Sequence, residues 1–264
     1  MNTLAYAVSD STTMLQRNLR HMQRYPSLTL MLVGIPVIFL LMFVYVFGGT
    51  LGAGLGSTSG GRAEYVNYVA PGILLMAVAG VAQGTAISVA MDMTEGIIAR
   101  FRTMAIFRPS VLTGHVLGSM IQTGLSLAVV IGVALLIGFR PTAYLIGWWI
   151  AAIGVLAMIT LALTWLTVAL GLASKNVEAA SNLPMPLMLL PFLGSGFVPT
   201  DSMPVGLRWF AEYQPFTSVI ETLRGLLMGT SIGNSAIIAA AWCAAITLAG
   251  YLWASAAFNR DPAR

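Results

Sequence analysis

The residues with the clearest chemical potential lie in one charged segment between two long apolar runs. Four charged side chains fall within eleven positions: Asp92, Glu95, Arg100 and Arg102. On a helix the acids come first and the arginines last, which suits the helix dipole. Phe101 lies on the apolar face of that helix. We predict a helix over 92–106 whose charges and Phe101 are recognised by a soluble partner at a membrane surface.

Gly96 is a further candidate residue of this segment. A glycine inside a helix costs about 1 kcal/mol relative to alanine, so we expect a packing or close-approach reason for it. The alternative interpretation of the whole segment is an ordinary loop helix, whose arginines only set the orientation of the chain in a membrane.

The sequence holds none of the patterns that carry catalysis or metal binding. It has no G-x-x-x-x-G-K-[ST] motif and its only lysine is Lys175, so we expect no loop that cradles ATP phosphates. Cys243 is the single cysteine, and His21 and His115 are far apart, so we predict no metal site. We therefore expect a chain that is not an enzyme by itself and binds no cofactor.

The composition is that of an integral membrane protein. The chain is 58% hydrophobic and 8% charged, whereas a soluble domain has roughly 25% charged residues. Apolar runs of about 20 residues can cross a bilayer as helices. They predict six spans, at about 28–48, 67–90, 112–138, 144–172, 179–198 and 236–257. The predicted fold is therefore all-α, a single polytopic membrane domain over 1–264.

The distribution of basic residues predicts the orientation of this domain. Nine of the 13 lysines and arginines lie at the termini and in the connections after the second and fourth spans. The positive-inside rule then places both termini and the 92–106 helix in the cytoplasm. The net charge is only +4, and no basic cluster is interleaved with aromatics, so we expect no nucleic-acid partner. The spans hold essentially no ionisable side chain, which counts against a proton-relay pump or an ion-coupled carrier.

An amphipathic helix is predicted before the first span, at about 10–25. Leu15, Leu19 and Met22 fall on one stripe, and arginines and glutamines face away. A basic amphipathic helix beside a span lies in the membrane interface. The alternative is a solvated helix that packs on the protein itself.

The fifth predicted span is unusual because it contains three prolines, Pro184, Pro186 and Pro191. Prolines bend or break a helix. Small residues permit close helix approach, and methionines adapt to varied apolar ligands. Possible lining residues of a transport path are therefore Met185, Met188, Gly194 and Gly196. The alternative is that the methionines fill the core or face lipid.

Residues 199–235 form a connection that is too long for a simple turn. Pro204 divides it, and Pro215 stands where proline is favoured, at a helix entry. Glu221 and Arg224 are three positions apart, so we expect them to pair on one helix face. The alternative is a plain surface ion pair, worth under about 1 kcal/mol.

The chain resembles the ABC-2 type transporter permeases, in particular the daunorubicin- and doxorubicin-resistance-like drug-exporter permeases. The resemblance is carried by "DMTEGIIARFRTMAIFRPSVLTGHVLGSM", "RNLRHMQRYPSLTLMLVGIPVIFLLMFVYVFGG", "YVNYVAPGILLM" and "LMLLPFLGSGFVPTDSMPVGLRWFAEYQPFTSVIETLRG". It implies that 92–106 is a coupling helix seated on a nucleotide-binding subunit and that 10–25 is a connecting helix. It also implies that 199–235 forms short re-entrant helices over an export path, with Pro204, Pro215, Glu221 and Arg224 at the outer gate.

The resemblance implies a permease subunit of an ATP-driven exporter in a bacterial plasma membrane. Its cargo would be a hydrophobic or amphipathic drug, antibiotic or lipid. Because six spans are few for a path, we expect a homodimer, or a pair with a similar permease, together with two copies of a separate ABC ATPase subunit, which carries ATP and Mg. ATPase closure would push the 92–106 helix and tilt the second span against the fifth across the dimer seam.

Two alternatives to this function stay open. The first is an exporter of a polysaccharide or lipid-linked polymer. The second is a membrane module that recruits an ATPase without transporting. A secondary carrier is disfavoured by the lack of an intramembrane charge.

Overall fold

The computed structural model describes residues 11–18, 20, 26–54, 61–97, 109–143 and 145–259. Within these ranges the regular secondary structure is helical, without strands, which confirms the predicted all-α class. Residues 11–18 form the N-terminal helix, α1. The other helices of these ranges are α2 (Pro26–Met42), α3 (Gly48–Ala53), α4 (Arg62–Thr94), α5 (Pro109–Leu136), α6 (Ile146–Ala173), α7 (Val177–Asn182), α8 (Met185–Leu189), α9 (Val205–Tyr213), α10 (Pro215–Met228) and α11 (Ser235–Asn259). A π-helical turn, Phe43–Phe47, joins α2 to α3.

Five helical stretches are long and apolar enough to cross a membrane. They are Leu30–Ala53, Arg62–Thr94, Ser110–Leu136, Ile146–Ala173 and Ser235–Asn259. They match five of the six predicted spans and confirm a polytopic membrane protein.

Helix α4 is the centre of the bundle. Its residues from Val69 to Ala82 are buried without interruption, and α2, α5, α6, α7 and α10 all pack against it. A helix that is apolar on every side is covered either by other helices or by lipid, and α4 is covered by other helices. Two glycines allow close contacts between helices, one between α6 and α4 and one between α11 and α6. A Cβ at Gly171 of α6 would lie 2.7 Å from the Ala86 carbonyl oxygen of α4, and a Cβ at Gly250 of α11 would lie 2.7 Å from the Leu166 nitrogen of α6.

The fifth predicted span, 179–198, is not a continuous helix. Residues 177–198, here called the broken segment, consist of α7, α8 and a series of turns. Pro184 precedes α8 as its N-cap, and prolines both lack the N–H that an α-helix needs and clash with the preceding turn. The prolines therefore break this span, as their positions predicted.

The broken segment nevertheless runs along most of α4. Ser181 is bonded to Gln83, whereas Phe197 is bonded to Tyr65. Eighteen residues of helix separate Tyr65 from Gln83, which is about 27 Å at 1.5 Å per residue. This length is close to the hydrocarbon thickness of a bilayer, about 30 Å. The fifth predicted span is therefore present as a broken segment that is long enough to cross, made of two short helices and turns.

Side chains of other elements satisfy carbonyl groups that the broken segment leaves free. The amide of Gln83 donates to the Ser181 carbonyl at 2.7 Å, and the Tyr65 hydroxyl donates to the Phe197 carbonyl at 3.2 Å. From α10 and its N-cap, Arg224 donates to the Ser195 carbonyl at 2.7 Å, and Gln214 donates to the Leu190 carbonyl at 2.8 Å. Irregular backbone at membrane depth requires such internal partners because lipid offers none.

The broken segment meets α4 within one chain. A Cβ at Gly72 of α4 would lie 2.7 Å from the Gly196 carbonyl oxygen. Paired glycines therefore bring the second and fifth predicted spans together inside a single copy, and their meeting across a dimer seam stays a prediction.

Candidate functional site

Three elements meet at one end of α4, around a buried carboxylate. Asp92 lies in the last turns of α4 and is 6% exposed. It forms an ion pair with Arg17 of α1, and its second oxygen lies 3.1 Å from Nε2 of His115 in α5. A carboxylate inside a protein is stable only with partners of this kind. The Asp92–Arg17–His115 cluster therefore ties α1, α4 and α5 together.

The helix predicted over 92–106 does not begin at Asp92. Helix α4 continues through Thr94, Glu95 is its C-cap, and Gly96 follows with φ +70. A glycine in the left-handed region is a common end of a helix because only glycine adopts it without steric cost. This is the conformational reason for Gly96. Arg100, Phe101 and Arg102 lie outside the described residues, so the coupling role of this segment stays a prediction.

Helix α1 packs on the protein, on the same end of α5. Asn18 donates to the Gly114 carbonyl at 3.0 Å, and Ser11 and Thr113 share a hydrogen bond of 3.2 Å. Met14 is buried, and a Cβ at Gly114 would lie 2.5 Å from the Met14 Cβ. The packing side of α1 therefore includes Met14, which the predicted Leu15 stripe left out.

The sequence interpretation did not foresee that Asp92 pairs with Arg17 and His115. The sequence assigned His115 no role beyond its distance from His21, and 23 positions separate it from Asp92. One signal was available in the sequence. Asp92 lies near the end of the second predicted span and His115 near the start of the third, and a single connection joins these two ends.

A cavity of about 800 Å³ lies beside the Asp92–Arg17–His115 cluster. It is bounded by α1, α2, α4 and α5. Its polar lining includes Arg17, Asn18, Gln83, Ser88, Asp92, Glu95, His115, Ser119 and Gln122, and its apolar lining includes Met31, Leu32, Ile35, Pro36 and Met188. Behind it, the hydroxyls of Thr85, Ser119 and Thr164 form a chain with distances of 2.9 and 3.2 Å that links α4, α5 and α6.

Arg224 organises the opposite end of α4. Its guanidinium donates to the Tyr68 carbonyl at 3.2 Å and to the Ser195 carbonyl at 2.7 Å, and it lies 3.9 Å from the centre of the Tyr68 ring. Arg224 thus joins α10, α4 and the broken segment. Pro215 is at the first turn of α10 and Pro204 is the N-cap of α9, as expected of prolines at helix entries.

The predicted ion pair between Glu221 and Arg224 is wrong. Glu221 instead accepts a hydrogen bond of 3.1 Å from Ser235 at the start of α11. The two side chains leave α10 in different directions because Arg224 is drawn to the carbonyls of α4 and the broken segment. The surface ion pairs of the 199–235 segment belong to Arg208, which bonds Asp201 and Glu212 at 2.7 Å each. The hydrogen bond to Glu212 raises the pKa of Arg208.

The four possible path-lining residues do not share one surface. Met188 borders the cavity, whereas Met185 is 54% exposed. Gly194 packs against Gln214 and Thr217, and Gly196 packs against Gly72. The two glycines are therefore small because neighbouring elements come close, and a path along all four residues stays a prediction.

Comparisons with known proteins agree with this architecture. The family model of the ABC-2 type transporters matches residues 10–228. The daunorubicin resistance ABC transporter permease protein DrrB1 of Streptomyces coeruleorubidus is 30% identical over 229 residues, which are 86% of this chain and 78% of that protein. The probable doxorubicin resistance ABC transporter permease protein DrrC of Mycobacterium tuberculosis is 29% identical over 163 residues, 61% of this chain and 58% of that protein.

The family match covers α4, the Asp92–Arg17–His115 cluster, the broken segment and Arg224. It therefore includes both ends of the central helix and every element that packs there. On this match and on the similarity to DrrB1, the chain belongs to the ABC-2 type transporter family.

Proposed function

We propose that this chain is the permease subunit of an ATP-driven exporter that moves a hydrophobic or amphipathic drug out of the cytoplasm or the inner leaflet of a bacterial membrane. The observation that carries the proposal is the similarity to a daunorubicin resistance permease over 86% of the chain. The long apolar helices and the apolar walls of the cavity suit such a cargo better than a small hydrophilic ion.

Hydrolysis would take place on a separate ABC ATPase subunit that binds ATP and Mg. The sequence lacks the G-x-x-x-x-G-K-[ST] motif, which cradles nucleotide phosphates. We propose that the ATPase docks on the connection after α4. The positive-inside rule puts this connection and both termini in the cytoplasm. Movement there would reach α1 and α5 through Asp92, because its carboxylate is bonded to both.

A second copy of the chain would complete the path. The broken segment exposes Leu183, Met185 and Leu189, each at about half of its possible area. Short helices interrupted by prolines leave backbone groups that lipid cannot bond, so a protein neighbour suits this side of the segment better than lipid. We propose that the neighbour is the same segment of a second copy.

The test is to co-purify the chain with a separate ABC ATPase subunit from the same organism and to reconstitute both in vesicles. We expect ATP-dependent movement of an uncharged amphiphile such as Nile red and an increase of ATP hydrolysis when this compound is added. A complex that hydrolyses ATP but neither transports nor responds to apolar compounds would support the recruiting module instead. Failure of the two subunits to associate would exclude both functions.

The coupling segment is tested in the same system. The double variant Glu95→Gln, Arg102→Gln should lose ATPase association or drug-stimulated turnover, while Arg140→Gln, in the connection between α5 and α6, should not. Equal behaviour of the two variants would show that the 92–106 connection is an ordinary loop.

A further inference from the structure

The cavity at the Asp92 end of α4 lies inside a single copy of the chain. It is bordered by α1, α2, α4 and α5, and its volume of about 800 Å³ falls within the roughly 300–1,000 Å³ of pockets that take drug-sized molecules. The exposed face of the broken segment, where a second copy is proposed, contributes only Met188 to its lining. The cavity is therefore a separate feature from the dimer seam.

Small residues on one stripe of α4 create this space. Gly80, Gly84 and Ser88 recur at every fourth position, and they border the cavity together. The neighbouring residues Val81, Ala82, Thr85 and Ala86 are buried against other helices. A Cβ at Gly80 would have its nearest neighbour, the Met188 Cε, at 3.9 Å. A larger side chain at Gly80 would therefore enter the cavity without striking the backbone of a neighbouring helix.

Among the described residues that line the cavity, the formal charges cancel. Two arginines, Arg17 and Arg20, and two carboxylates, Asp92 and Glu95, belong to its lining. The most buried of these charges, Asp92, is already bonded to Arg17 and His115. The other two, Arg20 and Glu95, have opposite signs, so a ligand with a net charge meets a like charge as well as an opposite one in a partly dehydrated space, which is unfavourable. The lining therefore favours a neutral or zwitterionic ligand.

Uncharged polar groups remain for such a ligand. The side chains of Ser88 and Gln122 border the cavity, and neither has a hydrogen-bond partner in the part of the chain that the structure describes. Met31, Leu32 and Ile35 of α2 form an apolar wall of the same space. Few polar groups beside an apolar wall are the usual arrangement of a small-molecule pocket.

We propose that this cavity binds one neutral or zwitterionic amphiphile per chain. Its polar group bonds Ser88 and Gln122, and its apolar body lies against Leu32 and Ile35. The cavity alone supports the binding site. Its role as the position where cargo is loaded before it reaches the dimer seam rests on the proposed function.

The test uses the full chain in lipid nanodiscs, without ATP, and four fluorescent probes. Nile red is a neutral amphiphile, rhodamine 6G is a cation, anilinonaphthalene sulfonate is an anion, and a short-chain fluorescent phosphatidylcholine is a zwitterionic lipid. We expect saturable binding of Nile red above the level of empty nanodiscs, with one site per chain, and no saturable binding of the two ions. Displacement of Nile red by phosphatidylcholine would identify the ligand source as membrane lipid, and lack of displacement would identify a free amphiphile.

Two variants and a matched control locate the site. Gly80→Leu should weaken Nile red binding by about tenfold or more because it fills the cavity, and Gln122→Leu should weaken it several-fold because it removes one hydrogen bond. Gly124→Leu is the control, since Gly124 of α5 is exposed and has no neighbour within 4 Å. Unchanged binding in both cavity variants, or preferential binding of rhodamine 6G, would overturn the proposal.

A second measurement covers the case in which Gly80→Leu does not fold. In a Cys243→Ala background the chain has no cysteine, so Ser88→Cys introduces a single thiol at the cavity. Saturating Nile red should slow its reaction with a maleimide, and an unchanged rate would contradict the site. If drug transport with the ATPase proceeds normally in folded Gln122→Leu while binding is lost, the loading role fails and the exporter function stands.

Discussion

Two buried charged side chains, Asp92 and Arg224, hold the opposite ends of α4. Asp92 uses an arginine and a histidine as partners, whereas Arg224 uses backbone carbonyls and an aromatic ring. Each connects three separate elements. Because charges are costly to bury without such partners, each site holds its three elements in one arrangement.

The Asp92 site predicts a stability difference between two neighbouring acids. Asp92→Asn removes the anion that Arg17 and His115 share, and we expect a loss of about 1–2 kcal/mol, since Arg17 is partly exposed and screened by solvent. Glu95→Gln, on an exposed residue, should change stability by less than about 0.5 kcal/mol. Melting temperatures in detergent measure both, and equal values would contradict the role of the cluster.

The Arg224 site predicts a difference between two arginines of the 199–235 segment. Arg224→Met leaves the carbonyls of Tyr68 and Ser195 without their donor, and charge-assisted hydrogen bonds are worth about 1.5–3 kcal/mol each. Removing a buried charge offsets part of this loss, so we expect a net cost of about 2 kcal/mol. Arg208→Met, at an exposed ion pair, should leave the melting temperature unchanged. A stable Arg224→Met protein would mean that other donors or water satisfy those carbonyls.

At the scale of elements, the broken segment is the least regular part of the bundle and the one most dependent on its neighbours. Its prolines prevent a continuous helix, and four side chains from α4, α10 and the α10 N-cap satisfy its carbonyls. Its close approach to α4 is made possible by the pair Gly72 and Gly196. The segment is thus fixed by contacts rather than by its own secondary structure.

This close approach predicts opposite outcomes at two glycines of α4. Gly72→Ala would place its Cβ 2.7 Å from the Gly196 carbonyl oxygen, and overpacking of this kind costs about 1–3 kcal/mol. Gly80→Ala meets only a methionine end at 3.9 Å, and it should be neutral or stabilising by up to about 1 kcal/mol, since alanine favours a helix. Thermal unfolding of the two variants measures this difference in stability. Equal melting temperatures would show that α4 and the broken segment can move apart to make room for the Cβ at position 72.

The elements were predictable where local physics decides them. Long apolar runs gave five of the six crossings, and three prolines indicated the break in the remaining one. Pro204 and Pro215 stand at helix entries for the same local reason. The end of the second helix was misplaced because charge alone suggested a new helix at Asp92, whereas the left-handed Gly96 sets the boundary.

The partners of the buried polar residues were not predictable from local physics. Arg224 was expected to pair with Glu221, three positions away, but its partners Tyr68 and Ser195 are 156 and 29 positions distant. The contact of Arg17 with Asp92 spans 75 positions. Neither distance follows from periodicity, since both depend on how α1, α4 and α10 pack.

At the scale of the whole molecule, one copy has a well-buried central helix and outer helices that are largely exposed. In α4, 78% of an apolar stretch of 18 residues is buried. In the first and last long helical stretches, Leu30–Ala53 and Ser235–Asn259, the corresponding share is 17%. Lipid can cover the regular helices, but it cannot cover irregular backbone. The broken segment is therefore the side on which we propose a second copy.

The proposed assembly predicts selective cross-linking in a Cys243→Ala background. Leu189→Cys, on the broken segment, should form disulfide-linked dimers in native membranes under mild oxidation. Leu125→Cys, on α5, should not, although both leucines are about half exposed. Cross-linking at Leu125 alone would place the seam on α5, and the absence of any dimer by native mass measurement would exclude a homodimer.

The bonds of the broken segment also constrain how the protein can be synthesised. Gln83 and Tyr65 leave the ribosome before residues 177–198, but Gln214 and Arg224 leave it afterwards. The carbonyls of Leu190 and Ser195 thus have no native donor until the chain has grown through residue 224. During that interval the nascent segment needs the insertion machinery or water as a substitute partner, so membrane integration of this stretch is completed only after translation has passed the arginine.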